Sequence, residues 1–207
     1  MTDVTLYGLP PTTNTRTAQM VLAAKGVPYR LEVPDTRGEA YTALHPFRKV
    51  PALRHGALSL FEALAIATYV DEAFDGPALR PEDPAARAVM MQWISATCDY
   101  VYDAAIKRCV IERIVKPAVG GTTDEAVIAA ALPDVGHALD VIDRALEGRA
   151  YLAGDAVSLA DFFLAPIHVY LAATPEGQGM LPVRGNLQRW AERMADTPDF
   201  AQINAMG

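Results

Sequence analysis

Apolar and polar positions change their rhythm near residue 80 of the chain. Before it, short apolar runs alternate with breaker-rich turns. After it, apolar residues recur at helical spacing. Val4 to Tyr7 reads as a short strand that runs into Gly8-Leu9-Pro10-Pro11-Thr12-Thr13-Asn14. A helix is predicted from about Thr15 to Lys25, with Ala18, Val21 and Leu22 on one face and Gly26 as its C-terminal stop. Tyr29 to Val33 is a second strand, and the polar segment Asp35 to Tyr41 reads as irregular. Ala52–Arg54 and Leu58–Phe61 bracket His55-Gly56-Ala57 as a hairpin. Glu62 to Phe74 reads as a helix with Leu64, Ile66, Ala67 and Val70 apolar. The order βαβ then ββα implies a small mixed sheet covered by helices.

The stretch from Asp75-Gly76-Pro77 to Pro81-Glu82 is the densest run of breakers and reads as a linker. Asp83 then caps a helix opening on Pro84 and running to about Val115. Thr122-Thr123-Asp124-Glu125 reads as a capping box opening a helix to about Glu147. Ser158-Leu159-Ala160-Asp161 has the same logic and opens an apolar helix, Phe162 to Leu171. Gly177-Gln178-Gly179 reads as loop, and Asn186 to Ala195 as a last helix with Pro198 beyond it. The expected division is 1–78, an α/β domain, and 79–207, an all-α domain.

Composition narrows the function classes. The chain has 207 residues, 51% hydrophobic and 21% charged, with net charge −7. The pI of about 5.0 argues against nucleic acid or an anionic membrane as main partner. No apolar run approaches the roughly 18 residues that span a bilayer, and the N-terminus lacks signal-peptide character, so a cytoplasmic location is expected. Cys98 and Cys109 are eleven residues apart, about 16 Å of helical rise, too far for a disulfide. Without CxxC and with scattered histidines, no metal is expected.

Three local features carry chemistry. In Pro11-Thr12-Thr13-Asn14, N–H groups and hydroxyls stand at a helix start, where negative charge is favoured; the plain alternative is that Thr13 or Asn14 merely caps the helix. In Lys49-Val50-Pro51, a proline opens a strand. If its peptide bond is cis, the Val50 backbone turns outward toward an extended, peptide-like ligand. In Phe61-Glu62-Ala63, a carboxylate begins a helix, either as ordinary dipole chemistry or as the partner of a ligand ammonium.

Taken together, His45-Pro46-Phe47-Arg48-Lys49-Val50-Pro51-Ala52-Leu53, His55-Gly56, Leu60-Phe61-Glu62-Ala63 and Ala65-Ile66-Ala67-Thr68-Tyr69 resemble the N-terminal domain of glutathione transferases. The Ser158–Asp161 box and the ending Leu187–Trp190, Arg193-Met194, Pro198 are similar to that family's helical domain. The resemblance covers nearly the whole chain. It implies an α/β thioredoxin-like N-terminal domain plus an all-α C-terminal domain. It also implies a homodimer, and glutathione as co-substrate with no other cofactor.

The resemblance assigns roles as well. The Val50 backbone beside cis-Pro51 pairs with the cysteinyl part of glutathione. Glu62 accepts from the γ-glutamyl ammonium, and Ala63 offers only its N–H where the family usually has serine. Lys49 and Arg37 face the glycyl side. Thr12 occupies the serine position of phi- and theta-like classes, and Thr12 with Asn14 resembles the bacterial nu-like pattern. Tyr7, in the strand, is read as core and as the rival activator. Trp93, Tyr100 and Arg108 share a helix face expected either as interdomain core or, by the resemblance, toward a small hydrophobic electrophile, with an anionic partner for Arg108. Thiolate attack on that electrophile is the implied reaction. Thr12 with Asn14 also suits disulfide or peroxide reduction, and Ala63 suits a non-catalytic binding protein.

Overall fold

The computed structural model describes residues 3–197 and 200. The chain divides into two compact units, one running to Leu79 and one from Arg80 to Ala195; Asp196, Thr197 and Phe200 group with the first. Pro198 lies outside the described residues.

The first unit is a four-stranded sheet in the order β2-β1-β3-β4. Its strands are β1 (Val4–Tyr7), β2 (Arg30–Glu32), β3 (Ala52–His55) and β4 (Leu58–Phe61). β2 runs parallel to β1; β3 is antiparallel to both β1 and β4. Gly56 turns the β3–β4 hairpin at φ 58°, a conformation that glycine adopts without steric cost. Helices α1 (Thr13–Ala24) and α3 (Ala63–Ala73) pack on each other and bury Leu22, Ile66 and Val70, while Leu6 and Leu53 fill the sheet's inner face. A buried ion pair ties the two helices: Lys25 Nζ lies 3.3 Å from Asp71 Oδ1 and donates to Pro77 O, and Asp71 Oδ1 also accepts from Leu79 N–H.

The segment expected to be irregular contains a short helix, α2 (Glu39–Leu44). It has no side-chain cap and only six residues, too few for periodicity to reveal. Buried Tyr41 anchors it, its hydroxyl donating to Lys49 O at 2.6 Å.

The second unit is helical. α4 (Pro84–Ala96) is capped by Asp83, which accepts from Ala86 N–H, and runs on as a π-helix (Thr97–Val115) and the short α5 (Lys116–Ala118). α6 (Glu125–Ala145) follows. Its cap is Asp124, accepting from Ala126 and Val127 N–H, and not the box opening on Thr122. Thr123 is drawn away to Glu112 O, and Glu125 is held by Arg113, which also grips Glu176. α7 (Leu159–Ala172) does begin with the Ser158–Asp161 capping box. α9 (Gly185–Ala195) closes the unit over Trp190 and Met194.

The expected loop at Gly177-Gln178-Gly179 is instead helix α8 (Pro175–Met180). Thr174 caps it by accepting from Gly177 N–H, and Pro175 opens it, a start signal present in the sequence. A Cβ on Gly177 would stand 1.9 Å from Leu171 O, so close packing dictates that glycine. Among the described residues no helix is long and apolar enough to cross a membrane.

Candidate active site

Strand register gathers the chemistry at one end of the sheet. Tyr7, Ala52 and Phe61 form one cross-strand row, and Tyr7 also pairs with Glu32. One step beyond that row lie Gly8, Pro51 and Glu62, so the loop to α1, the proline bend and the start of α3 leave the sheet on the same side. The N-termini of α1 and α3 therefore both open there. Their first N–H groups have no intrahelical acceptor, which makes this end a seat for anionic groups.

Thr12 is the N-cap residue of α1 by backbone (φ −87°, ψ 139°), yet its side chain makes no capping bond. Its hydroxyl lies 3.0 Å from Leu9 O and 2.7 Å from Thr15 Oγ1. Neither Thr13 nor Asn14 supplies a side-chain cap, so the plain reading of this loop is not what holds it. Arg16 does so instead, its Nε donating to Pro10 O. Asn14 is half-buried one residue inside the helix.

The Val50–Pro51 bond is cis, with Pro51 buried and Val50 half-buried. Lys49 and Arg37 are exposed, Lys49 beside this bend and Arg37 just ahead of α2.

Glu62 is the N-cap residue of α3 at φ 73°, ψ 122°, a region that costs a non-glycine residue about 1–3 kcal/mol. Its exposed carboxylate makes no hydrogen bond or ion pair among the described residues. Residues held in such conformations concentrate at ligand-binding sites. Ala63 is buried at the first helical position.

Beneath this end lies His45, which the sequence reading passed over as part of a motif. It is 2% exposed and its ring sits 5.0 Å from Phe61, with Tyr41 and Phe47 alongside. Desolvation lowers its pKa; nearby Glu62 acts to raise it, and Lys49 to lower it further. Burial pushes the Tyr41 phenol up to about 12, so it stays a hydrogen-bond donor. Tyr7 alternates to the opposite face from Val4 and Leu6 and packs against Tyr41, with Arg54 over its ring.

Within the second unit, Trp93, Tyr100 and Arg108 line one cavity of about 600 Å³ together with Ala138, Val141 and Ile142. Its rim carries Asp99, Asp103 and Asp134. Arg108 Nη2 donates to Asp134 Oδ2 at 2.8 Å, and its Nε lies 3.1 Å from Asp103 Oδ2 in an ion pair without hydrogen-bond geometry. The anionic partner expected for Arg108 is thus internal. That guanidinium joins the π-helix to α6.

A mixed four-stranded sheet with a cis-proline bend and two helix N-termini at one end, followed by a helical unit, defines a thioredoxin-like fold joined to a helical domain. Family models sharpen this. Residues 2–72 match the glutathione S-transferase N-terminal domain and residues 98–198 the C-terminal domain. Glutathione S-transferase 3 of Zea mays is 30% identical, over 99% of this chain and 95% of its own length. Glutathione S-transferase F13 of Arabidopsis thaliana is 32% identical, over 86% and 82%. Among solved structures, a glutathione S-transferase III in apo form superimposes with TM-score 0.90 at 30% identity, covering 98% of this chain and 96% of that one. A theta class enzyme from Xanthomonas axonopodis pv. citri, solved with glutathione bound, gives 0.83 at 28%, covering 98% and 97%. The chain belongs to the glutathione S-transferase family.

Proposed function

We propose that this chain is a serine/threonine-type glutathione transferase in which Thr12 stabilises the glutathione thiolate. The observation that supports it most is the shared end of the sheet. A hydroxyl free of capping duty, two helix N-termini, the cis bend at Val50-Pro51 and an unpaired carboxylate at Glu62 all stand there. Glutathione has a complementary outline: a carboxylate and ammonium at one end, a thiol in the middle, a carboxylate at the other.

In this reading Glu62 takes the γ-glutamyl ammonium, and the Ala63 N–H at the start of α3 takes its carboxylate. The Val50 backbone pairs with the cysteinyl unit, and Lys49 and Arg37 receive the glycyl carboxylate. Thr12 donates to sulfur and does not act as a base, since a neutral hydroxyl is far too weak a base to take the thiol proton. The thiol proton leaves to solvent, the α1 N-terminus and the Thr12 hydroxyl stabilise the anion, and sulfur attacks. A carbon–sulfur bond forms as the leaving group departs with the bonding pair. Asn14 flanks the sulfur. Trp93 and Tyr100 contact the apolar part of the electrophile, which is neutral or cationic in keeping with the acidic rim.

Support for the chemistry also comes from relatives solved with lactoylglutathione and with an atrazine glutathione conjugate. Retention on glutathione-agarose together with turnover of a chlorodinitrobenzene-type electrophile is the expected result. Retention without turnover marks a binding protein, and activity confined to hydroxyethyl disulfide marks a reductase. The resemblance further supports a cytoplasmic homodimer, the first domain of one subunit on the helical domain of the other. Sedimentation at micromolar concentration should show twice 22.3 kDa, and a 22.3 kDa species would refute it.

A further inference from the structure

We infer that Thr15 is a positioning residue for the thiolate-stabilising hydroxyl of Thr12. It forms the inner member of a two-hydroxyl relay. This inference rests on the reading of Thr12 given above.

The argument begins with the proton count. Thr12 Oγ1 carries one proton and has two neighbours in hydrogen-bond range, Leu9 O at 3.0 Å and Thr15 Oγ1 at 2.7 Å. Leu9 O only accepts and so competes for that proton. A hydroxyl at Thr15 both accepts and donates. When Thr12 turns its proton toward sulfur, Thr15 can donate into the lone pair that Thr12 exposes. Each bond in such a chain polarises the next, strengthening it by roughly 10–30%.

Thr15 is fully buried and closely packed. It is 0% exposed, on the first turn of α1, so no water competes for its hydroxyl. Its side chain lies directly over the Gly8 backbone: a Cβ on Gly8 would stand 2.5 Å from Thr15 Cγ2 and 2.7 Å from Oγ1. Gly8 is not at positive φ. The side chain of Thr15 therefore accounts for the glycine there, and that close packing seats Thr15 with its hydroxyl 2.7 Å from Thr12 Oγ1.

The test measures thiolate absorbance of bound glutathione against pH, with kcat and KM, for Thr15→Val, Thr15→Ser and Thr12→Ala. Valine is isosteric and keeps the packing on Gly8 while removing the hydroxyl. Thr15→Val is expected to raise the bound-thiol pKa by about half a unit, with roughly threefold slower conjugation below that pKa and an unchanged KM for glutathione. Thr15→Ser should restore both. If Thr12→Ala raises the pKa and Thr15→Val leaves it where it was, the relay is refuted while the role of Thr12 stands. If Thr12→Ala itself has no effect on the pKa, the reading of Thr12 fails and the relay with it. A rise in glutathione KM without a pKa change would make Thr15 a packing residue and also refutes the relay.

Discussion

Replacing Asp161 by alanine should unfold much of the helical unit's stability. The carboxylate is 0% exposed and serves four donors. Oδ1 accepts from Leu152 N–H at 3.0 Å and Trp190 Nε1–H at 2.9 Å; Oδ2 accepts from Ser158 N–H at 2.9 Å and the Ser158 hydroxyl at 2.8 Å. One side chain thus joins the start of α7, the segment before it and the core face of α9. Alanine leaves these donors buried without an acceptor, each costing about 1–3 kcal/mol, offset in part by rotation of the Ser158 hydroxyl. With three donors left unpaired, a loss of at least about 3 kcal/mol follows, against a usual total of about 5–15 kcal/mol. Asparagine keeps the shape and one acceptor. With its amide nitrogen toward Ser158, whose hydroxyl can turn to accept, only one donor is lost, and the cost falls to about 1–3 kcal/mol. Asp143 provides the control. It caps α9 from α6 through Asn186 and Leu187 N–H but is only half-buried, so Asp143→Ala should cost about 1–2 kcal/mol. Both tryptophans, Trp93 and Trp190, lie in this unit, so denaturant titration followed by tryptophan fluorescence reads it directly. An Asp161→Ala protein within about 1 kcal/mol of the parent would refute the accounting.

Glu62→Ala should weaken glutathione binding about ten- to hundredfold by calorimetry with the fold intact, and Ala63→Ser should tighten it. Glu62→Gly loses the same affinity but relieves the positive φ, so it should gain about 1 kcal/mol of stability; loss of stability would contradict the strain argument. Thr12→Ala should raise the bound-thiol pKa by about one to two units and slow conjugation roughly tenfold near neutrality, Thr12→Ser should keep most activity, and Tyr7→Phe should do little. The reverse pattern, with Tyr7→Phe raising the pKa and Thr12→Ala not, hands the role to Tyr7. Trp93→Ala should raise KM for the electrophile and leave that for glutathione alone; an unchanged electrophile KM would remove Trp93 from that pocket. His168, edge-on to Trp190 in α7, has its pKa lowered by desolvation to about 4. The folded state holds it neutral while the unfolded chain protonates near 6.5, so stability is full above that value and is lost as pH falls toward 4. Acidification from pH 7.5 to 5 should cost about 2 kcal/mol, and His168→Gln should abolish most of that slope in denaturation midpoints.

Local patterning determined a great deal of this molecule. Short apolar runs bounded by turn residues marked β1 and the hairpin, Asp83-Pro84 marked the start of α4, and the Ser158–Asp161 box marked α7, because each is decided by neighbours within a few residues. Short elements escaped: uncapped α2 is held by a Tyr41 bond to Lys49 O, and α8, though Thr174 and Pro175 open it, is a six-residue helix whose glycines read as loop and whose Gly177 is required by packing on Leu171 O. The motif residues Thr12, Val50, Pro51 and Glu62 were nameable from the sequence. No periodicity states that Gly8, Pro51 and Glu62 leave the sheet side by side, since that follows from pairing strands up to fifty residues apart. Only the folded chain releases the Thr12 hydroxyl from capping, seats Thr15 against Gly8, forces Glu62 to positive φ and neutralises Arg108 with Asp103 and Asp134. Caps and periods are properties of one segment, whereas hydrogen-bond partners and ion pairs are chosen among groups that only tertiary packing brings within bonding distance of each other.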